Sequence, residues 1–433
     1  MKRVKHRWLV LSLLLVAGVF FAGCQIDYQS VVVLFVGHGE PATFNEGLEP
    51  VQFPDGKYIG PFGTPYAPQV PDNFELVVPE NYRNTLWAML YIEVAEAIAY
   101  TMGDANNNGK PHEPFFIPFG DVTPGFRWNA FLGEAAAQYA AFGGSPHNAT
   151  WQNHVNKTRL SLLNKSIDIE LAYMDARPMI EEKVYQVLQS QRVDKLVVVP
   201  LLLSESTHTQ EIKEAVELGV EMSGREVEIA WGHPFFVEPY VRNLHASAVA
   251  AMVEWVRAKL PAGVPNDQIG VVLAAHGDPF PPPYPEFGYE PGDAYSYVYL
   301  MEKDFHDAIT NKLPYDTLMG INEFRPPSVE SGIEDFSNAG KQHIIVVPAN
   351  FPTPSMHTMW DIAEAAVGRP VHVAEGFATR VLPSGTTVWY TPHGYGDLEP
   401  GATYVRNGMR YCAEVALLEL FEKHRSEYEY LLK

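Results

Sequence analysis

Two cysteines in 433 residues are too few for a disulfide framework. His-x-x-x-His and Cys-x-x-Cys spacings are also missing, which argues against a closed structural zinc site. No Walker segment, no Gly-x-Ser-x-Gly elbow and no Gly-x-Gly-x-x-Gly turn follows the β-branched runs. The usual nucleotide and hydrolase readings of an α/β chain fall away with them. Basic residues are scarce: 31 Lys and Arg stand against 52 Asp and Glu, a formal charge of -21. Phosphate contacts need clustered cations, so nucleic acid is not expected as a partner. Charged residues reach only 19%, whereas 46% are hydrophobic and 12% aromatic, a balance that belongs to packed domains and not to disorder. The length points to two or three domains.

What is present begins at the N-terminus. Lys2, Arg3, Lys5 and Arg7 precede an apolar run from Trp8 to Phe20, closed by Phe21-Ala22-Gly23-Cys24. That order reads as a secretory signal over residues 1–24, short for a spanning helix. It resembles a bacterial lipobox, in which Cys24 is acylated and the upstream segment removed, although Phe21 stands where Leu is usual. A plain signal peptide or a retained anchor is the other reading. Gln25, in place of Asp, points to lipid anchoring in the cell envelope at the periplasmic face of the outer membrane. Cys412 is then the sole thiol of the mature chain. Its apolar helical setting, Tyr411 to Leu418, predicts a buried and inert side chain.

One grammar recurs along the mature chain. Val31 to Val36 ends in Gly37-His38-Gly39-Glu40-Pro41, and Val197 to Val199 ends in Pro200 with His208 a few residues on. Gly270 to Ala275 then ends in His276-Gly277-Asp278-Pro279, and Ile344 to Val347 ends in Pro348, followed by Phe351 and His357. Runs that are apolar throughout are what buried parallel strands look like. Helical patterns lie between them, at 180–188 and 246–260. The chain is therefore expected to be α/β, with two pseudo-duplicated doubly wound domains and a cleft between them. The seam is placed near Pro261-Ala262-Gly263-Val264-Pro265, giving domains at 25–262 and 263–433. Ligands of such sheets sit beyond the carboxyl ends of the strands, where these four histidines fall.

Two further stretches carry weaker signals. Residues 41–79 are rich in Gly, Pro and aromatics and either cover a flat ligand or pack against the domain. Asp104, Asn106 and Asn108, with Gly109, match the front half of a calcium loop, but Phe115 occupies the position of its closing acid. Calcium and a metal-free turn both remain open there.

A lone histidine is more often a satisfied or surface residue than a functional one. Four at strand ends in a repeated pattern are suited to act as bases or metal ligands near neutral pH. The motifs around them resemble a known family. Gly143-Gly144-Ser145-Pro146, Tyr173-Met174 through Arg177-Pro178, and Trp231-Gly232-His233-Pro234 with Phe236 come first. Ala274-Ala275-His276-Gly277, Gly292-Asp293-Ala294-Tyr295 and the block from Val346 to Ile362 follow in order. Together they resemble ferrochelatase, with kinship to the cobalt chelatases of corrin synthesis.

The resemblance implies a tetrapyrrole metal chelatase, with His276 and His357 as the catalytic and metal-binding pair. His357 stands where ferrochelatases carry glutamate, a change that shifts preference towards imidazole-loving metals such as iron, cobalt or nickel. His38 is implied to meet the other macrocycle face, and Gly39, Pro41, Tyr295, Phe351 and Trp360 to contact the ring. His208 resembles the ligand histidine of the small single-domain chelatases. Asp361, one helical turn beyond His357, is placed to orient that ring, or is a solvated helix-start carboxylate. The physical demand suits two facing imidazoles, which strip water from the ion and take pyrrole protons. Two rival readings are a periplasmic lipoprotein that binds haem, corrin or metal without turnover, and a metal hydrolase, which lacks grouped carboxylates.

Overall fold

The computed structural model describes residues 31–49, 85–88, 90, 126–160, 167–190, 193–277, 297–322 and 327–423. In chain order the first half holds β1 (Val31–Gly37), α1 (Phe44–Leu48), α2 (Phe126–Phe142), α3 (His147–Lys157), β2 (Asp168–Tyr173), α4 (Ile180–Ser190), β3 (Lys195–Pro200), α5 (Thr207–Ser223), β4 (Glu228–Trp231) and α6 (Pro239–Arg257). The second half holds β5 (Ile269–Ala275), α7 (Tyr297–Thr310), β6 (Asp316–Ile321), α8 (Val329–Asn338), β7 (His343–Pro348), α9 (Ile362–Val367), β8 (Ala378–Val381), β9 (Thr387–Tyr390) and α10 (Gly401–Lys423).

The strands form two sheets with matching orders, β2-β1-β3-β4 and β6-β5-β7-β9-β8. Every pairing is parallel except β8 with β9. The protein is thus α/β with two equivalent parallel sheets, and the antiparallel β8 is an edge addition to the second. Strands β1, β3 and β5 are buried along their whole length. That is why their Val, Leu and Ile run without polar alternation.

Alternate residues of each strand feed different cores. Val32, Leu34 and Val36 pack with α4 and α5 on the outer face of the first sheet. Val31, Val33 and Phe35 join Val271, Leu273, α6 and α10 in one core that spans both halves. Helix starts follow local chemistry: Ser206 and Thr209 exchange side-chain and backbone hydrogen bonds at the head of α5, and Ser328 caps α8. Cys412 is buried on α10, and burial raises its thiol pKa to about 12, matching the inert role expected of it.

Candidate functional site

His38 directly follows β1 and His276 directly follows β5, at equivalent carboxyl ends of the two sheets. Each ring is held by the same local device. Nδ1 lies 3.2 Å from the Gly39 carbonyl in the first half and 3.1 Å from the Gly277 carbonyl in the second. Both glycines have positive φ, 87° and 98°. A Cβ on Gly39 would stand 2.6 Å from Cβ of Tyr173, so both conformation and space demand glycine.

The second histidine of each pair comes from the segment after the third strand. His208 lies in the first turn of α5, and His357 opens a wide turn, His357–Asp361, that runs into α9. In that turn the Ile362 N–H reaches back five residues to the His357 carbonyl, a geometry that recurs at functional sites. The rings of His38 and His208 meet edge to face, with centroids 5.1 Å apart and planes at 89°. Those of His276 and His357 do the same at 5.0 Å and 89°.

Carboxylates lie beside three of these rings. Nδ1 of His357 lies 2.8 Å from Asp361 Oδ2, the partner suggested by the sequence. Nδ1 of His208 lies 2.7 Å from Glu211 Oε2, and Nδ1 of His38 lies 3.1 Å from Asp175 Oδ2. Carbonyl and carboxylate oxygens only accept, so these contacts favour the tautomer with hydrogen on Nδ1 and the lone pair on Nε2.

The two pairs lie close enough to interact electrostatically. Loss of water, then the adjacent His208, hold the His38 pKa well below the ordinary imidazole value. The Gly39 carbonyl works against this, and His147 and His276 add smaller depressions. His147, at the head of α3, has its pKa lowered chiefly by burial; Glu40 raises it and His357 lowers it. Charge on one half is therefore felt by histidines of the other. The environment keeps His38 and His147 neutral at neutral pH, the form that ligates.

One expectation needs correction. His276 and His357 do not face each other across a slot; they touch within the second half, and a macrocycle does not fit between them. Phe351 is buried beside both, 6.0 Å from the His276 ring and 6.1 Å from that of His357. Trp360 is half-buried against Phe142 of α2 at 6.0 Å. Gly39 and Pro41 are buried, and the Pro41 carbonyl accepts from the Tyr139 hydroxyl at 2.5 Å, so both shape the turn behind His38. Cys24, Tyr295 and the calcium candidates Asp104, Asn106 and Asn108 lie outside the described residues. Among the described residues no cluster of three or more His, Cys, Asp or Glu is set to hold a metal ion.

Sequence reasoning missed Glu40, His147, Asp175 and Glu211. Glu211 was within reach of the rule that found Asp361, since three residues on a helix also share a face. Asp175 lies two residues beyond β2, Glu40 lies within the motif that ends β1, and His147 adjoins Gly143-Gly144-Ser145-Pro146.

Two strand-end imidazole pairs, one per sheet, mark a two-halved α/β protein. The Ferrochelatase family model matches residues 128–381, more than half of the chain, and the protein belongs to the ferrochelatase family of tetrapyrrole metal chelatases. The coproporphyrin III ferrochelatase of Leifsonia xyli subsp. xyli (strain CTCB07) is 24% identical over 266 residues, covering 54% of this chain and 66% of that protein. The ferrochelatase of Trichodesmium erythraeum (strain IMS101) is 25% identical over 228 residues, covering 51% of this chain and 56% of that one. The chain thus spans less than two thirds of the length of either curated relative. Among solved structures, SirB from Bacillus subtilis with Fe3+ aligns with 12% identity and a TM-score of 0.39, covering 89% of this chain and 95% of that one. The cobalt complex of the sirohydrochlorin chelatase SirB from Bacillus subtilis subspecies spizizenii aligns with a TM-score of 0.37 at 12% identity and the same coverage.

Proposed function

We propose that the chain transfers a divalent metal ion into or out of a tetrapyrrole held in the cleft. His276 and His357 bind the ion and accept the two pyrrole protons that leave as metal–nitrogen bonds form. One observation carries this reading: two imidazoles at 5.0 Å, each with Nδ1 committed to an oxygen acceptor. Two rings sharing one ion through bonds of roughly 2.1 Å bring their centroids to about 5 Å. Two protein ligands leave the remaining positions to water and to macrocycle nitrogens, as transfer requires.

The metal is substrate here. Iron, cobalt and nickel suit imidazole, and an imidazole at 357 gives up the anionic pull of a carboxylate. The macrocycle is of porphyrin or sirohydrochlorin type. It lies against Phe351 and Trp360, with His38 and the turn of Gly39 and Pro41 on its other side. His208, paired with His38 at 5.1 Å, makes a second metal station on the first half. We further propose that Cys24 carries lipid and anchors the chain to the envelope, on the strength of the basic and apolar segments before it.

The chain lacking residues 1–24 is mixed with a metal-free porphyrin or sirohydrochlorin and with Co(II), Fe(II) or Ni(II), and the visible spectrum is followed. Many turnovers per chain support the chelatase. One stoichiometric shift identifies a capture protein for haem, corrin or metal, and no change with any pair rejects both. For the anchor, Cys24→Ala releases the chain from the membrane fraction; retention there rejects lipidation at this residue.

A further inference from the structure

The tip of β1 reaches beyond its own half. Two residues after His38, both carboxylate oxygens of Glu40 lie 3.2 Å from the backbone nitrogen of Met356, the residue before His357. The Ser145 hydroxyl donates to the same carboxylate. Glu40 is itself held by Asn148: its N–H donates to Asn148 Oδ1 at 3.0 Å, and Asn148 Nδ2 donates to its carbonyl at 2.6 Å. The Asn148 carbonyl accepts in turn from the Tyr173 hydroxyl at 2.9 Å. A second bond across the halves runs alongside, between His147 Nδ1 and Thr353 Oγ1 at 2.8 Å. The first half therefore grips residues 353 and 356, immediately ahead of the turn that carries His357.

The amides that open a helical turn have no partner within it. Ser355 and Thr358 settle part of that shortage themselves: the Ser355 N–H donates to Thr358 Oγ1 at 3.0 Å, and the Thr358 N–H donates to Ser355 Oγ at 3.3 Å. The Met356 amide is left to Glu40, an anionic acceptor at the start of a helical segment, where charge-assisted bonds are strongest. Glu40 precedes the residues matched by the family model, so the clamp is read from this chain's own contacts.

We propose that Glu40 is a positioning residue: by holding the Met356 amide across the cleft, it sets the wide turn that aims His357 and couples the metal affinity of the second-half pair to the seating of the first half. The proposal rests on reading His276 and His357 as that pair. Gln at 40 keeps an accepting oxygen at the right reach, whereas Asp is one methylene short and Ala has no acceptor.

Two measurements on the full-length chain test it. Co(II) alone is titrated and its visible bands followed. Glu40→Ala weakens binding about tenfold, Glu40→Asp does likewise, and Glu40→Gln recovers most of the loss. In a His357→Ala background, Glu40→Ala has no further effect. No loss in the wild-type background, or the same loss in both backgrounds, overturns the proposal, because a merely structural role is indifferent to His357. The second measurement needs no metal. In Glu40→Ala the amide of Met356 exchanges hydrogen about tenfold faster or more, while the amides of β1 and β7 keep their rates. Unchanged protection at Met356 overturns the clamp whatever cobalt does. A wild-type chain that takes up no cobalt refutes the metal reading of the pair, and the exchange data then decide the clamp alone.

Discussion

The two halves present their imidazoles in the same way and surround them differently. Both pairs join a strand-end His–Gly to a second histidine in edge contact, at 5.1 Å in the first half and 5.0 Å in the second. In the first half the carboxylates are Asp175 beyond β2, beside His38, and Glu211 within α5, beside His208. In the second, Phe351 lies against both rings and His357 sits on a wide turn held from the opposite half. The pairing is thus a property of the duplicated fold. What separates the halves is the apolar wall and the clamp.

The largest effect that separates the pairs is in turnover. His276→Ala or His357→Ala lowers the initial rate of metal insertion by about 100-fold or more, whereas His38→Ala or His208→Ala has the smaller effect. Equal losses from either pair, read from the same spectral assay, make the halves functionally equivalent and break the comparison.

A third set of imidazoles sharpens it. His154 and His245 are buried in the shared core, with no hydrogen-bond partner among the described residues for either His154 nitrogen or for His245 Nε2. His245 Nδ1 pairs with the Tyr395 hydroxyl at 2.7 Å. Burial lowers their pKa values to about 4 and about 3. In the unfolded chain both titrate near 6.5, so below that pH the unfolded state binds more protons. Stability is full above about 6.5 and falls as the pH drops towards the folded values, by up to about 1.4 kcal/mol per pH unit for each group. The thermal midpoint measured between pH 7 and 5 reports this, and His154→Gln has the shallower slope. An unchanged slope places the acid sensitivity elsewhere.

The smallest expected effect compares the orienting carboxylates. Asp361→Asn lowers Co(II) affinity about tenfold at the second pair, and Glu211→Gln leaves insertion at that pair within about threefold, an order-of-magnitude bound for a site in the other half. The reverse order transfers the working pair to the first half.

Much of this was legible in the sequence because buried parallel strands advertise themselves. Val31 to Val36 and Gly270 to Ala275 have no polar alternation, and the histidines that end them stand where sheet topology gathers ligands. Asp361 followed from helical spacing. The rest depends on contacts with no local period. Glu40 and Met356 lie 316 positions apart, and nothing near either announces the other. The edge contact of His276 with His357 depends on how far the wide turn leans towards β5, which a strand-end motif does not encode. The antiparallel β8 was missed because its short run, Ala378–Val381, is mostly exposed and carries no buried-strand signature.

The last helix of each half has changed sides. α6 follows the first sheet in the chain but packs on β7 of the second, while α10 follows the second sheet and lies on β3 and β4 of the first. The two helices are also packed on one another. Each half keeps one inner helix of its own, α3 on β2 and α7 on β6, but relies on the other half's last helix to complete the cover, so a chain severed at the seam would yield two fragments with part of an apolar face bare. The core shared by the two halves is built by this exchange. Separating the halves means sliding α6 and α10 within a close-packed interior, whereas the Glu40 and His147 contacts join them through a few hydrogen bonds.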